Sequence, residues 1–332
     1  VKFSKFDRRS EINRKGFTLP WREFQPVAGK IFRQRIFKVL NAYKEMDMET
    51  QKPEHLAEPK IQAKDILVLT DPDFIPQNVC IVTGAGTGIG RATALAAAAN
   101  RLTVVGLDIN GEEGQKTVQM AESLGGQMKF IAADLTMDED IEKSVAEAAK
   151  FGQIKYLINI AGIQHIDPVD QFPMQMYDLM QRLMLRAPFY LSQLVIPHLK
   201  RSSDGCGVIG HMASVHAHIC TAKKPVYNIT KFGLRALAQS ISAEGEGRIR
   251  SFTVSTGFVK TPLALNQIPA QAAQRGISQE QVVREVMMGK SRIKEMMSPI
   301  AVANLFVFGL SSHARYLIGG DLLFDGGMVL TY

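Results

Sequence analysis

The stretch VCIVTGAGTGIGRATALAAAA, residues 79–99, decides the fold. Its opening VCIVT is apolar and rich in β-branched residues, the composition of a buried strand. Its closing GRATALAAAA reads as a helix, because alanine and leucine are strong helix formers. Between them, Gly84, Gly88 and Gly90 suit a tight turn whose backbone can approach a pyrophosphate at the positive end of that helix. A glycine cluster alone signals only a turn. The strand before it and the helix after it give it its meaning.

Working outward, short apolar runs alternate with helical patterns. LTVVGLD (102–108), MKFIAAD (128–134), IKYLINI (154–160) and GVIGHM (207–212) read as further strands. EEGQKTVQMAESL and IEKSVAEAAK between them read as helices. Strands separated by helices require right-handed crossovers, so the expected fold is α/β, a doubly wound (Rossmann) parallel sheet. A single catalytic domain is expected over 78–332, behind a basic, partly helical extension over 1–77. Asp108 ends the second strand, 20 residues past Gly88. A carboxylate there accepts both ribose hydroxyls of NAD and repels a 2′-phosphate; the alternative is an N-cap for the next helix. No arginine directly follows it to relieve the repulsion, so NAD is favoured over NADP. Asp134 and Leu135 end strand three, where an adenine edge should lie.

The bulk numbers exclude several classes. With 332 residues, 46% of them apolar, the chain can bury a large core. Three cysteines without metal-ligand spacing form no even-numbered framework, which points to a reduced, cytoplasmic protein. No apolar run reaches membrane-spanning length, and no secretory signal is expected at the N-terminus. Residues 1–50 hold 12 Lys/Arg against 6 Asp/Glu, so +6 of the net +7 lies there. The remaining chain is close to neutral, and nucleic-acid binding by it is not expected. Within the extension, Phe32, Ile36, Val39, Tyr43 and Met46 form one stripe of a helix over residues 30–47. Packing of that stripe on protein is favoured; contact with a membrane or lipid surface is the alternative.

The chemistry is concentrated in GHMASVHAHICTAKKPVYNITKFG, residues 210–233. Tyr227 and Lys231, at i and i+4, share a helix face. An ammonium beside a phenol stabilises the phenolate and makes proton exchange with an alcohol or carbonyl feasible. Ser214, with 12 residues between it and the tyrosine, could fix the substrate oxygen. Lys224 and His216 flank these residues, and a cation with an imidazole suits a small carboxylate. The remaining histidines, His165, His198, His211, His218 and His313, lack paired metal spacing and are read as structural. No metal is expected.

Ser214, Tyr227 and Lys231, with TGAGTGIG (83–90), NIAG (159–162) and DGG (325–327), resemble the short-chain dehydrogenase/reductase superfamily over roughly residues 78–332. Within it, AGIQH (161–165), ASVH (213–216), AKKPVY (222–227) and TGFVKTPLALNQI (256–268) look most like D-3-hydroxybutyrate dehydrogenases. The resemblance implies that Gln164, His216, Lys224 and Gln267 hold the substrate's carboxylate and methyl end. It also implies cofactor contacts at Thr87, Ile89, Asn159, Val259 and Thr261, beside Gly84, Gly88, Gly90, Asp108, Asp134, Leu135, Tyr227 and Lys231. The implied reaction is NAD-dependent interconversion of D-3-hydroxybutyrate and acetoacetate, in ketone-body metabolism, by a homo-oligomer (a tetramer or dimer). The alternatives are a reductase of 3-oxoacyl thioesters or another polar alcohol, and a low-turnover nucleotide-binding scaffold. The chain departs from the superfamily pattern at Met184, where an asparagine usually supports a relay water, and at Ile160 and STG (255–257). A methionine supplies no amide, so its backbone carbonyl would have to hold the water, which needs a bend in the helix there.

Overall fold

The computed structural model describes residues 58–330. The stripe at 30–47 and the basic stretch 1–50 lie outside the described residues. The fold is a seven-stranded, all-parallel sheet of order β3-β2-β1-β4-β5-β6-β7. The strands are β1 Asn78–Thr83, β2 Thr103–Asp108, β3 Gln127–Ala132, β4 Gln153–Asn159, β5 Gly207–Met212, β6 Ile249–Thr256 and β7 Asp321–Phe324. The principal helices are α1 Gly88–Ala99, α2 Gly111–Ser123, α3 Asp138–Ala148, α4 Met174–Gln181, α5 Ala187–Lys200, α6 Pro225–Glu244, α7 Gln267–Arg275 and α8 Pro299–Leu310.

Alternation along β1 feeds two cores. Cys80 and Val82 join α1 and α8 on one face; Val79 and Ile81 join α3 and α5 on the other. That two-sided burial explains why the parallel strands read as continuous apolar runs. The five strands foreseen from sequence are present, with ends shifted by a residue or two in most of them. β6 and β7 were not foreseen. β6 carries Arg250, Ser251, Thr253 and Ser255, all buried, and so lacks an apolar signature.

Residues 58–77 pack on this body. Ile66 and Phe74 belong to the core shared by α1 and α8. Asn100, which caps α1, accepts a hydrogen bond from Leu69 N and donates to Leu67 O, both at 2.8 Å. Asn304 on α8 pairs in the same way with Leu67 N and Asp65 O, at 2.9 Å each.

Strand order reverses between β1 and β4, which opens a crevice at their carboxyl ends, the usual ligand position in such sheets. The β1–α1 turn borders it with no room to spare. A Cβ on Gly90 would lie 1.9 Å from Gly84 O. Gly90→Ala is therefore expected to push α1 off the turn, costing roughly 2 kcal/mol. Thermal melting checks this; an unchanged melting temperature would contradict the close approach.

Candidate active site

Gly84 and Gly88 bend the β1–α1 turn with φ of 69° and 56°, which an L side chain rarely adopts. Gly86 N donates to Asp108 Oδ2 and Asn110 N to Asp108 Oδ1, each at 2.9 Å. The carboxylate is thus fixed at the end of β2, with lone pairs left for hydroxyl donors. Asp134 Oδ1 accepts from Thr136 N and Oγ1, and Leu135 beside it is buried. Across the crevice, Thr261 brings its methyl against Gly88: a Cβ there would meet Thr261 Cγ2 at 3.1 Å. Val259 is buried in the same loop. Thr87 is the N-cap of α1, and Ile89 packs on the core behind it. Asn159 is buried at the end of β4, its Nδ2 lying 3.2 Å from His211 Nδ1.

One residue at this end was not anticipated. The Glu58 carboxylate lies near the Gly88 amide and Arg91. Burial raises its pKa above the ordinary carboxylate value; Arg91 and the Gly88 amide oppose this. A carboxylate beside the first amide of α1 stands at the helix end where a dinucleotide pyrophosphate would be expected. Only a three-dimensional contact links a residue before β1 to α1, so no local sequence pattern marks Glu58.

The reactive end is built by α6 docking on the loop after β5. Tyr227 Oη lies near Ser214, and Lys231 Nζ donates to Met212 O at 2.7 Å. Lys231 Nζ also lies 5.2 Å from the Tyr227 ring centroid. Burial pushes the Lys231 ammonium down to about 8 and the Tyr227 phenol up to about 12, the latter opposed by Ser214. In the protein alone, desolvation therefore outweighs the lysine's pull on the phenol that the i, i+4 spacing suggested. Met184 lies in a π-helical turn, Arg182–Arg186, between α4 and α5. A π turn disrupts the i→i−4 ladder there, which a backbone relay would use. The Met184 side chain is buried with Met180 and Val226, and Tyr227 packs against the same cluster.

The four expected substrate residues fall into three contacts. His216 is held at both ring nitrogens, Nδ1 3.1 Å from Ser214 Oγ and Nε2 2.9 Å from Thr221 Oγ1. Burial, reinforced by Lys224 and Lys231, lowers its pKa to about 4, so the imidazole is neutral at pH 7 and contributes no charge. Gln267 Nε2 donates to Gln164 Oε1 at 3.2 Å, joining the α7 start to the loop after β4. That loop is tied to the start of α6 by Asp167 N donating to Lys223 O at 2.9 Å. Lys224 is half-buried with its Nζ 5.8 Å from the Phe258 ring centroid. Burial lowers it to about 8, and no carboxylate among the described residues pairs with it.

No group of three His, Cys, Asp or Glu among the described residues is placed to hold a metal ion. No helix among them is long and apolar enough to cross a membrane.

Comparison with known proteins matches this geometry. A family model described as enoyl-(acyl carrier protein) reductase covers residues 84–329. D-beta-hydroxybutyrate dehydrogenase of Rhizobium meliloti is 31% identical over 251 residues, spanning 74% of this chain and 96% of the relative. A 3-oxoacyl-(acyl-carrier-protein) reductase of Thermotoga maritima is 30% identical over 255 residues, 76% of this chain and 98% of the relative. The crystal structure of L-sorbose reductase from Gluconobacter frateurii, complexed with NADPH and L-sorbose, superposes with a TM-score of 0.72 at 25% identity. It covers 78% of this chain and 100% of that one. The chain belongs to the short-chain dehydrogenase/reductase family. It is an oxidoreductase of that family, built for a nicotinamide dinucleotide.

Glu58 stands beside the Gly88 amide, where a dinucleotide pyrophosphate would bring further negative charge. Glu58→Gln is therefore expected to tighten dinucleotide binding by about fivefold at neutral pH by removing a like charge. Calorimetric titration with the dinucleotide checks this; equal or weaker binding by the variant would contradict it.

Proposed function

We propose that the protein is an NAD-dependent dehydrogenase of small 3-hydroxy acids, interconverting D-3-hydroxybutyrate and acetoacetate. The observation that carries this reading is Lys224, a desolvated ammonium without a carboxylate partner among the described residues, three residues before Tyr227. It also sits at the N-cap of α6, where the helix dipole disfavours a cation. An anionic substrate relieves both penalties. The 31% identity to a D-beta-hydroxybutyrate dehydrogenase supports the same substrate class.

Bound dinucleotide supplies the hydride acceptor or donor at its nicotinamide. The chain supplies the rest. The Ser214 hydroxyl orients the reacting oxygen, and Tyr227 takes the hydroxyl proton during oxidation or returns it during reduction. Lys231 favours the phenolate by its charge while Met212 O holds it in place. Lys224 and the Gln164–Gln267 pair fix the acid so that its C3 hydroxyl meets Ser214 and Tyr227. Neutral His216 holds Ser214 from behind. Asp108 supports NAD over NADP through repulsion of a 2′-phosphate.

A second reading, reduction of carrier-bound 3-oxoacyl groups, is favoured by the 30% identity to a 3-oxoacyl reductase and by the description of the matching family. Such a substrate has no free carboxylate for Lys224. Steady-state assays with short 3-hydroxy acids and with 3-oxoacyl thioesters separate the two. Turnover of the acids with NAD is expected. Turnover of the thioesters alone, or equal use of NADP, would overturn the reading.

The pH dependence is also specified. Lys224 is protonated below about 8 and loses its charge above it. The KM for 3-hydroxybutyrate should therefore be flat below that value and rise above it. Tyr227, raised to about 12, is protonated at neutral pH, so kcat for oxidation should climb as pH rises towards about 8, above which Lys231 loses the charge that favours the phenolate. A KM that stays level to pH 10 would contradict the role of Lys224.

A further inference from the structure

The α6 row that carries Tyr227 and Lys231 continues one turn further, to Arg235. At i, i+4 and i+8 these residues share one face, which meets the end of β5 and the chain that leaves it. Lys231 holds Met212 O, Tyr227 meets Ser214, and Arg235 Nη1 donates to Ala217 O at 2.7 Å. The loop reaches the third grip by doubling back through the 3₁₀ turn Val215–Ala217, in which Ala217 N donates to Ser214 O at 2.8 Å.

His218 closes this turn onto the sheet. Its Nε2 lies 2.8 Å from Asp321 Oδ2 on β7, and its Nδ1 lies 3.4 Å from Arg235 Nη1. A guanidinium only donates, so Nδ1 accepts and the ring proton sits on Nε2, facing the carboxylate. The imidazole thus bridges a cation on α6 and an anion on β7 in one fixed orientation. Asp321 is buried, and its other oxygen accepts from Thr253 Oγ1 and from Ser255 Oγ at 2.8 Å. Thr253 stands opposite Asp321 in the ladder, so β6 and β7 together fix the carboxylate.

The geometry points to Arg235–His218–Asp321 as a positioning device for the reactive loop, with His218 as its central positioning residue. None of the three touches the reacting groups. They hold the backward half of the turn whose forward half presents Ser214 and His216 to Tyr227. The sequence pattern for this chemistry stops at Lys231 and does not include them. The inference rests on the proposed role of Ser214 and Tyr227.

The test uses the full chain with His218→Ala and with His218→Gln, which keeps one donor and one acceptor. Two measurements are made: kcat and KM on a turned-over substrate, and amide hydrogen exchange over residues 214–219. For His218→Ala, kcat should fall at least tenfold with dinucleotide affinity within twofold of wild type. Exchange over 214–219 should quicken while the other peptides and the melting temperature stay close to wild type. His218→Gln should restore most of both. Normal kcat with unchanged exchange in the alanine variant would overturn the inference. So would a loss accompanied by uniformly faster exchange, which marks general destabilisation. If His218→Ala does not fold, Arg235→Gln is judged on the same two measurements. A wild type that turns over no substrate tested defeats the proposed reaction, whereas the exchange result still decides whether this device holds the loop.

Discussion

Taking an ammonium out of water costs several kcal/mol unless an acceptor replaces the lost hydration. Two lysines near the start of α6 are desolvated in this way, and both are pushed down to about 8. Lys231 has an internal acceptor, the carbonyl of Met212, which ends β5. Among the described residues, Lys224 has only an aromatic face at 5.8 Å. On the proposed reading this asymmetry organises the site: the satisfied lysine fixes α6 to the sheet, and the unsatisfied one would be completed by an anionic ligand. Neutral His216 sharpens the contrast, because its low pKa leaves Lys224 and Lys231 as the cations beside Tyr227.

The parallel sheet supplies the frame in which this asymmetry can act. β1 and β4 part at the switch in strand order, and the Gly84–Gly90 contact holds the helix start there ready for an anion. β5 delivers Ser214 on the neighbouring side, and α6 crosses behind it. The polar side chains of β6 would be a liability in an ordinary core strand. Here they are paired: Thr253 and Ser255 with Asp321, Ser251 with Ile209 O, and Arg250 with the carbonyls that end α8. Buried polar groups that are fully paired tend to specify one arrangement.

Much of this was legible in the residues. The glycine turn, the acid at the end of β2 and the Tyr–Lys spacing are local patterns, and the structure places them around one crevice. What escaped notice depended on contacts between distant segments. β6 was hidden because its buried side chains are polar, and β7 because it is four residues long. Glu58 reaches Gly88 across 30 residues of chain, and Asp321 reaches His218 across 103. His216 was expected as part of the carboxylate clamp, yet its two nitrogens are spent on Ser214 and Thr221. The direction of the Tyr227 shift was misjudged for a similar reason. Spacing reveals the neighbouring charge, whereas burial, which outweighs it, is a property of the packed core.

The most direct test of the central claim, that a half-buried ammonium with no carboxylate partner among the described residues selects an anionic substrate, is a specificity ratio. The kcat/KM for D-3-hydroxybutyrate is divided by that for its methyl ester, in the wild type and in Lys224→Met. A charge-assisted contact of about 3 kcal/mol corresponds to a ratio on the order of 100 in the wild type. In the variant the ratio should collapse towards one, through loss of activity on the acid while activity on the ester persists. An unchanged ratio, or equal losses on both substrates, would contradict the claim.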